Sequence, residues 1–387
     1  MITEPVPNPF QLDGKLWFLA ATLVAVVALL APELGSRPEV FANRPDYRVP
    51  YSVSKDYWLY SRHLDRAATD KATVFVVGDS VVWGEYVLPD GTLSHFLNTQ
   101  RAGAIGFNYV NAGVNGQFPL ALDGLLTHYG HAIHGRKVLL HCNLLWMSSP
   151  EADLSSSKEQ AFNHQPLVPQ LPGSVPCYKA DVDTRIGHLV DHAVPVFAFS
   201  NHLQIAQLDG MSLPDWTLAT DGKWPPKYPN TYANPLPLLL APVPAEPALD
   251  SERGPDSDRH RPWFERGMKP QSYAWVPLWD SLQWAAFQRI VQRLRAWGCD
   301  VFVVLGPFNT HMIAEENRSD FDTLSSGVQQ WFFENGVGYV APDALPSELY
   351  GDASHPLTAG YEELAKVLRR NDTFATWASR VSAAQQR

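Results

Sequence analysis

Three side chains in this sequence could together perform acyl transfer: Ser80, Asp352 and His355. Gly78-Asp79-Ser80 closes the apolar run Val74-Phe75-Val76-Val77. Far downstream, Asp352-Ala353-Ser354-His355 sets a carboxylate three residues before a histidine. A serine hydroxyl is a weak nucleophile at neutral pH and needs a base. Imidazole can take its proton, and a carboxylate can hold the ring in the required tautomer. Each motif alone has a plainer reading. Ser80 could cap a helix, and Asp352 could cap the helix after Pro356.

The elements around these residues decide between the readings. Short apolar runs predict buried parallel strands at 74–77, at 109–110 leading into 111–116, and at 137–143, 301–306 and 338–341. Helical spacing falls between them, at 57–68, in part of 81–99, and at 120–133. Leu278, Leu282, Ala286, Ile290, Leu294 and Trp297 continue the pattern, with Gly298 as a stop. Helices are also expected to end over 329–334 and to span 358–370. Alternating strands and helices imply a parallel sheet flanked by helices. Such sheets bind ligands beyond the carboxyl ends of their strands. Ser80, Gly116, Asn143 and His355 each follow or end a different predicted strand, so one rim would collect all four.

With that order and placement the chain resembles the SGNH, or GDSL-like, hydrolase superfamily. Gly78-Asp79-Ser80 is similar to its nucleophile block, and Asn111-Ala112-Gly113-Val114-Asn115-Gly116 to its second block. Asp352-Ala353-Ser354-His355 is similar to its closing Asp-x-x-His block. The third block, usually Gly-x-Asn-Asp, reads His141-Cys142-Asn143-Leu144 here and keeps only its asparagine. The resemblance covers about 71–147 and 275–375. It implies a three-layer α/β/α, flavodoxin-like parallel sheet. It also implies Ser80 as nucleophile, His355 as base and Asp352 as the acid that orients it. The backbone N–H groups of Ser80 and Gly116 and the Asn143 amide would form the oxyanion hole. Such donors are worth roughly 3–4 kcal/mol each. Trp83 and His311, the latter in the rim segment Gly306-Pro307-Phe308-Asn309-Thr310-His311, are candidates for substrate contact. No cofactor or metal is implied.

The whole chain sets bounds. It has 387 residues, 45% hydrophobic and 18% charged, enough to build a core. A net charge of -10 argues against a nucleic-acid partner. Cys142, Cys177 and Cys299 are too few and too widely spaced for a disulfide framework, and buried thiols are expected. His128, His131 and His134, like His188 and His192, recur at helical spacing without a completing carboxylate, so exposed helix histidines are expected rather than a metal site. Leu16 to Ala31 is uninterruptedly apolar and is expected to be an uncleaved signal anchor. A cleaved signal peptide and a core helix are the competing readings. The expected organisation is an anchor at 1–34, a juxtamembrane linker and short helix at 35–70, and a catalytic domain at 71–387. An insertion or lid, rich in proline and tryptophan, occupies about 148–275 and includes one helix near 184–210.

The anchor and insertion resemble those of exported SGNH proteins that modify envelope polysaccharide, including alginate-type O-acetyltransferases. The expected function is a periplasmic, membrane-tethered serine esterase acting on acylated carbohydrate or lipid. Two alternatives stand beside it. One is an exopolysaccharide O-acetyltransferase working with a membrane acyl-export partner. The other is a non-catalytic glycan-binding or membrane scaffold.

Overall fold

Five short segments become five parallel strands. The computed structural model describes residues 13–35, 46–99, 107–208, 210–212, 215–216 and 260–380. The strands are β1 (Thr73–Gly78), β2 (Asn108–Gly113), β3 (Lys137–Cys142), β4 (Asp300–Leu305) and β5 (Gly338–Val340). They pair in the order β2-β1-β3-β4-β5, with Gly78 opposite Gly113, Val77 opposite Leu140, and Cys142 opposite Leu305. The chain steps from β1 to one side, then crosses to the other side for β3. The order therefore reverses between β1 and β3, where open sheets of this kind form a crevice.

Alternation along each strand feeds two cores. Phe75, Val77, Val138 and Leu140 face one; Val74, Val76 and Leu139 face the other. On the first face lie α2 (Tyr57–Ala67), α5 (Pro119–Tyr129), α8 (Leu282–Ala296) and α9 (Arg318–Glu334). On the second lie α3 (Ser80–Trp83), α4 (Leu93–Thr99), α10 (Thr358–Arg370) and α11 (Asp372–Ser379). Helix α11 has no counterpart among the sequence expectations. Asn371 caps it by accepting from Phe374 N, and Trp377 docks it by donating to Asp300 Oδ1 at 3.0 Å.

Two expected helices break where the physics of their termini demands. The segment 120–133 ends as an α-helix at Tyr129, and a 3-10 turn takes over after Gly130. The segment near 184–210 splits into α6 (Val182–Ala193), α7 (Pro195–His202) and a π-turn. Pro195 has no N–H to continue α6, but is well suited to open α7.

Residues 46–68, expected as a juxtamembrane stretch, pack into the body: Val49, Val53, Trp58, Leu59 and Leu64 join the first core. The insertion is partly structured, with Leu154, Leu167 and Val168 also in that core. Its residues 217–259 lie outside the described residues. At the start of the described chain, α1 (Gly14–Gly35) has 22 residues and is long and apolar enough to cross a membrane. At about 1.5 Å per residue it spans ~33 Å, against a hydrocarbon layer of about 30 Å. Cys142, Cys177 and Cys299 are buried free thiols.

Candidate active site

Ser80 opens α3 immediately past β1, where Asp79 is the N-cap and accepts from Val81 N at 2.9 Å. This turn presents the Ser80 hydroxyl to His355, whose Nε2 is 2.8 Å from Ser80 Oγ. Behind the ring, His355 Nδ1 lies 2.8 Å from both oxygens of Asp352. Asp352 Oδ1 also accepts from the backbone N–H groups of Ser354 and His355, each at 2.9 Å. The Asp-x-x-His spacing thus folds into a tight turn that fixes carboxylate and ring together. With Nδ1–H donated to Asp352, Nε2 is left to accept from the serine.

The electrostatics match that geometry. Burial alone would push Asp352 up, but His355 and the two N–H donors outweigh it and hold its carboxyl down at about 2. Burial opposes charge on His355 too, yet the Asp352 carboxylate raises it above the ordinary histidine value of 6.5. The imidazolium therefore stabilises the fold most at low pH, and that contribution is lost as pH rises through the raised pKa. The Asp352 contribution is present above 3.8 and is lost as pH falls toward 2. In a proton NMR titration of the folded protein, His355 is expected to titrate above 6.5. Asp352→Asn should move its midpoint downward, because the neutral amide no longer favours the cation. A midpoint unmoved by that substitution would contradict the pairing.

Around these three side chains, the residue before Ser80 is a hub. Asp79 Oδ2 accepts from Asn143 Nδ2 at 3.1 Å and from Trp146 Nε1 at 2.9 Å. His141 Nδ1 lies 3.2 Å from Asp79 Oδ1, close but off the hydrogen-bonding direction. Burial opposes the charge on Asp79, but His141, His355 and the Val81 N–H hold its carboxyl below the usual range. Asn143 Oδ1 accepts from Leu145 N at 3.1 Å. One amide hydrogen goes to Asp79, and the second has no partner among the described residues. Asn143 is thus locked in orientation with one donor to spare.

Gly116 sits on the loop after β2 with φ +70°, a left-handed conformation that glycine adopts without strain. A β-carbon there would lie 2.5 Å from Asn163 Nδ2, so the insertion packs directly against this glycine. His164, also in the insertion, places Nε2 2.9 Å from Asn115 O and Nδ1 3.1 Å from Tyr57 OH. Asn115 in turn donates to Glu85, beyond α3. A cavity of about 340 Å³ adjoins Gly116, walled mainly by Phe118, Leu154, Phe162 and Val168.

Four of the sequence-derived residues gather as expected on the rim: Ser80, His355, Asp352 and, through Asp79, Asn143. Gly116 lies on the same rim, after β2. His311 is exposed on the turn Thr310–Met312 that follows β4. Trp83 is the correction. It is 1% exposed, its indole N–H donates to Val49 O at 2.7 Å, and Arg48 stacks 3.9 Å from its ring. The tryptophan packs inward and offers no face to a substrate. His128, His131 and His134 are exposed, and His128 stacks on His192 with ring centroids 4.4 Å apart. Among the described residues, no group of three or more histidine, cysteine or carboxylate side chains could hold a metal ion.

Sequence reasoning missed Tyr86 and Arg266. Tyr86 OH donates to Asp352 Oδ2 at 3.1 Å, and its ring meets His355 edge-on at 5.4 Å. Arg266 reaches in from the end of the insertion, lies 4.8 Å from the Tyr86 ring and donates to Gly351 O at 2.9 Å. Neither stands in a motif. The only sequence hint for Tyr86 is its closeness to Ser80.

No family model matches this chain, and no curated protein matches it in sequence.

Proposed function

We propose that this protein is a serine-dependent acyl ester hydrolase of SGNH type, tethered to a membrane by α1, with its body outside the cytoplasm. The observation that carries the reading is the unbroken chain Ser80 Oγ, His355 Nε2, His355 Nδ1, Asp352, with 2.8 Å at each link. The strand order β2-β1-β3-β4-β5 supports it, being the flavodoxin-like order with its crevice beside the first strand. A membrane-tethered enzyme facing outward would meet acylated envelope carbohydrate or lipid.

In the proposed reaction, Ser80 Oγ attacks the ester carbonyl while its proton passes to His355 Nε2. The carbonyl oxygen becomes an oxyanion. The Ser80 N–H, the Gly116 N–H and the spare Asn143 hydrogen are the donors assigned to it. Collapse breaks the bond to the leaving oxygen, which takes the proton from His355. Water then gives a proton to His355 and attacks the acyl-serine. The acid departs and the proton returns to Ser80. Asp352 stays ionised throughout and holds the ring.

A serine-reactive fluorophosphonate tests the reading. The full-length protein is expected to label, and Ser80→Ala to lose the label while keeping its circular dichroism. A folded wild-type protein that takes no label would refute the catalytic reading and favour a scaffold.

A further inference from the structure

Helix α6 carries its apolar residues on the outside. Val182, Ile186, Leu189 and Val190 recur at helical spacing along α6, and Val194 at the break and Phe197 in α7 follow them. They are 39–65% exposed, where a surface helix of a globular body normally turns such a stripe inward. Contiguous exposed apolar area of this kind marks a contact surface. The only arginine or lysine in the pair, Arg185, points inward and donates to the carbonyls of Gln170, Tyr178 and Ala180.

What covers the stripe follows from its neighbour. Helix α1 packs on α7, and a β-carbon at Gly35 would lie 2.3 Å from the Phe199 ring. Phe199 is itself buried against Trp58, ring centroids 5.1 Å apart. The apolar helix therefore meets the body at α7, with Pro32 and Gly35 buried at the junction and Leu16 to Leu30 exposed before it. Helix α6 packs on the same α7.

Resting on the reading of α1 as a membrane helix, we propose that the α6–α7 elbow is a lipid-facing surface. It lies in the interface between headgroups and acyl chains, so the body rests on the bilayer rather than hanging from one helix. The stripe is apolar and uncharged, so contact comes from apolar burial and not from attraction to anionic lipid.

The three native cysteines are buried, so single surface cysteines can carry an environment-sensitive fluorophore. Full-length protein would be reconstituted in phosphatidylcholine vesicles with the probe at Ile186→Cys, at Val24→Cys in α1, or at Thr323→Cys on the exposed side of α9. The Ile186 probe is expected to shift to the blue and lose emission to a nitroxide placed high on the acyl chain. The Val24 probe should be quenched by a deep nitroxide, and the Thr323 probe by neither. Adding phosphatidylglycerol should change nothing. Quenching at Val24 without quenching at Ile186 overturns the proposal alone. Loss of both removes the membrane reading of α1 as well. An Ile186 probe shielded from aqueous iodide but blind to lipid nitroxides assigns the stripe to a protein, and overturns it. So does quenching that appears only with anionic lipid.

Discussion

His355→Gln is expected to lower ester turnover by about 10⁴-fold or more, since residues of such a unit fail together. Among the described residues, the ring is the group placed to accept the Ser80 proton, with Nε2 at 2.8 Å. Glutamine can hydrogen-bond the hydroxyl but cannot take its proton at neutral pH. Asp352→Asn should cost somewhat less, roughly 10³- to 10⁴-fold, because it leaves the base present in the wrong tautomer. p-Nitrophenyl acetate hydrolysis by folded variants measures both. Turnover of His355→Gln within about tenfold of the parent would remove the histidine from the chemistry.

Arg48→Met is expected to destabilise the fold by on the order of 3 kcal/mol, because buried carbonyls lose their charged donor. Arg48 is 2% exposed and donates to Trp83 O and Gly84 O at 2.7 Å and to Val87 O at 2.9 Å. The Trp83 and Gly84 carbonyls end the short helix that begins with Ser80, where a cation also suits the dipole. Asn111 and the Val87 N–H partly compensate at Trp83 O and Gly84 O, but no such second donor is seen at Val87 O among the described residues. Methionine keeps much of the contact with the Trp83 ring, so the loss reports the hydrogen bonds. Arg48→Lys should recover only part, since an ammonium cannot fork to three acceptors as a guanidinium does. Denaturant midpoints read both variants. A shift under about 1 kcal/mol for Arg48→Met would mean that water replaces the donor and that the clamp is not structural.

The same arginine shows where sequence reading stops. Strands β1, β3 and β4 were legible because buried parallel strands are runs of apolar residues. The meeting of Ser80 with the Asp352–His355 turn was legible because both follow predicted strands, and strand ends share a rim. Arg48 carries no such mark. It stands in a proline-rich stretch that reads as a linker, and its partners lie 35 to 39 residues on. Trp83 was misread for the same reason: closeness to Ser80 in sequence says nothing about which way the indole turns. Tyr86 meets Asp352 across 266 residues, a pairing no local pattern encodes. Helix α9 could have been read more fully, since Phe321, Leu324, Val328 and Phe332 keep one buried face. The outward stripe of α6 was invisible in another sense. Periodicity reveals that a helix has an apolar side, but not whether protein lies against it.

Ser80 and His355 sit 275 residues apart, one after the first strand and one after the last. A polypeptide still emerging from ribosome or translocon would carry its serine unarmed until almost the final helix had arrived. Under the proposed function, the order of synthesis itself would then keep the nascent protein from cleaving esters before its last strand is in place.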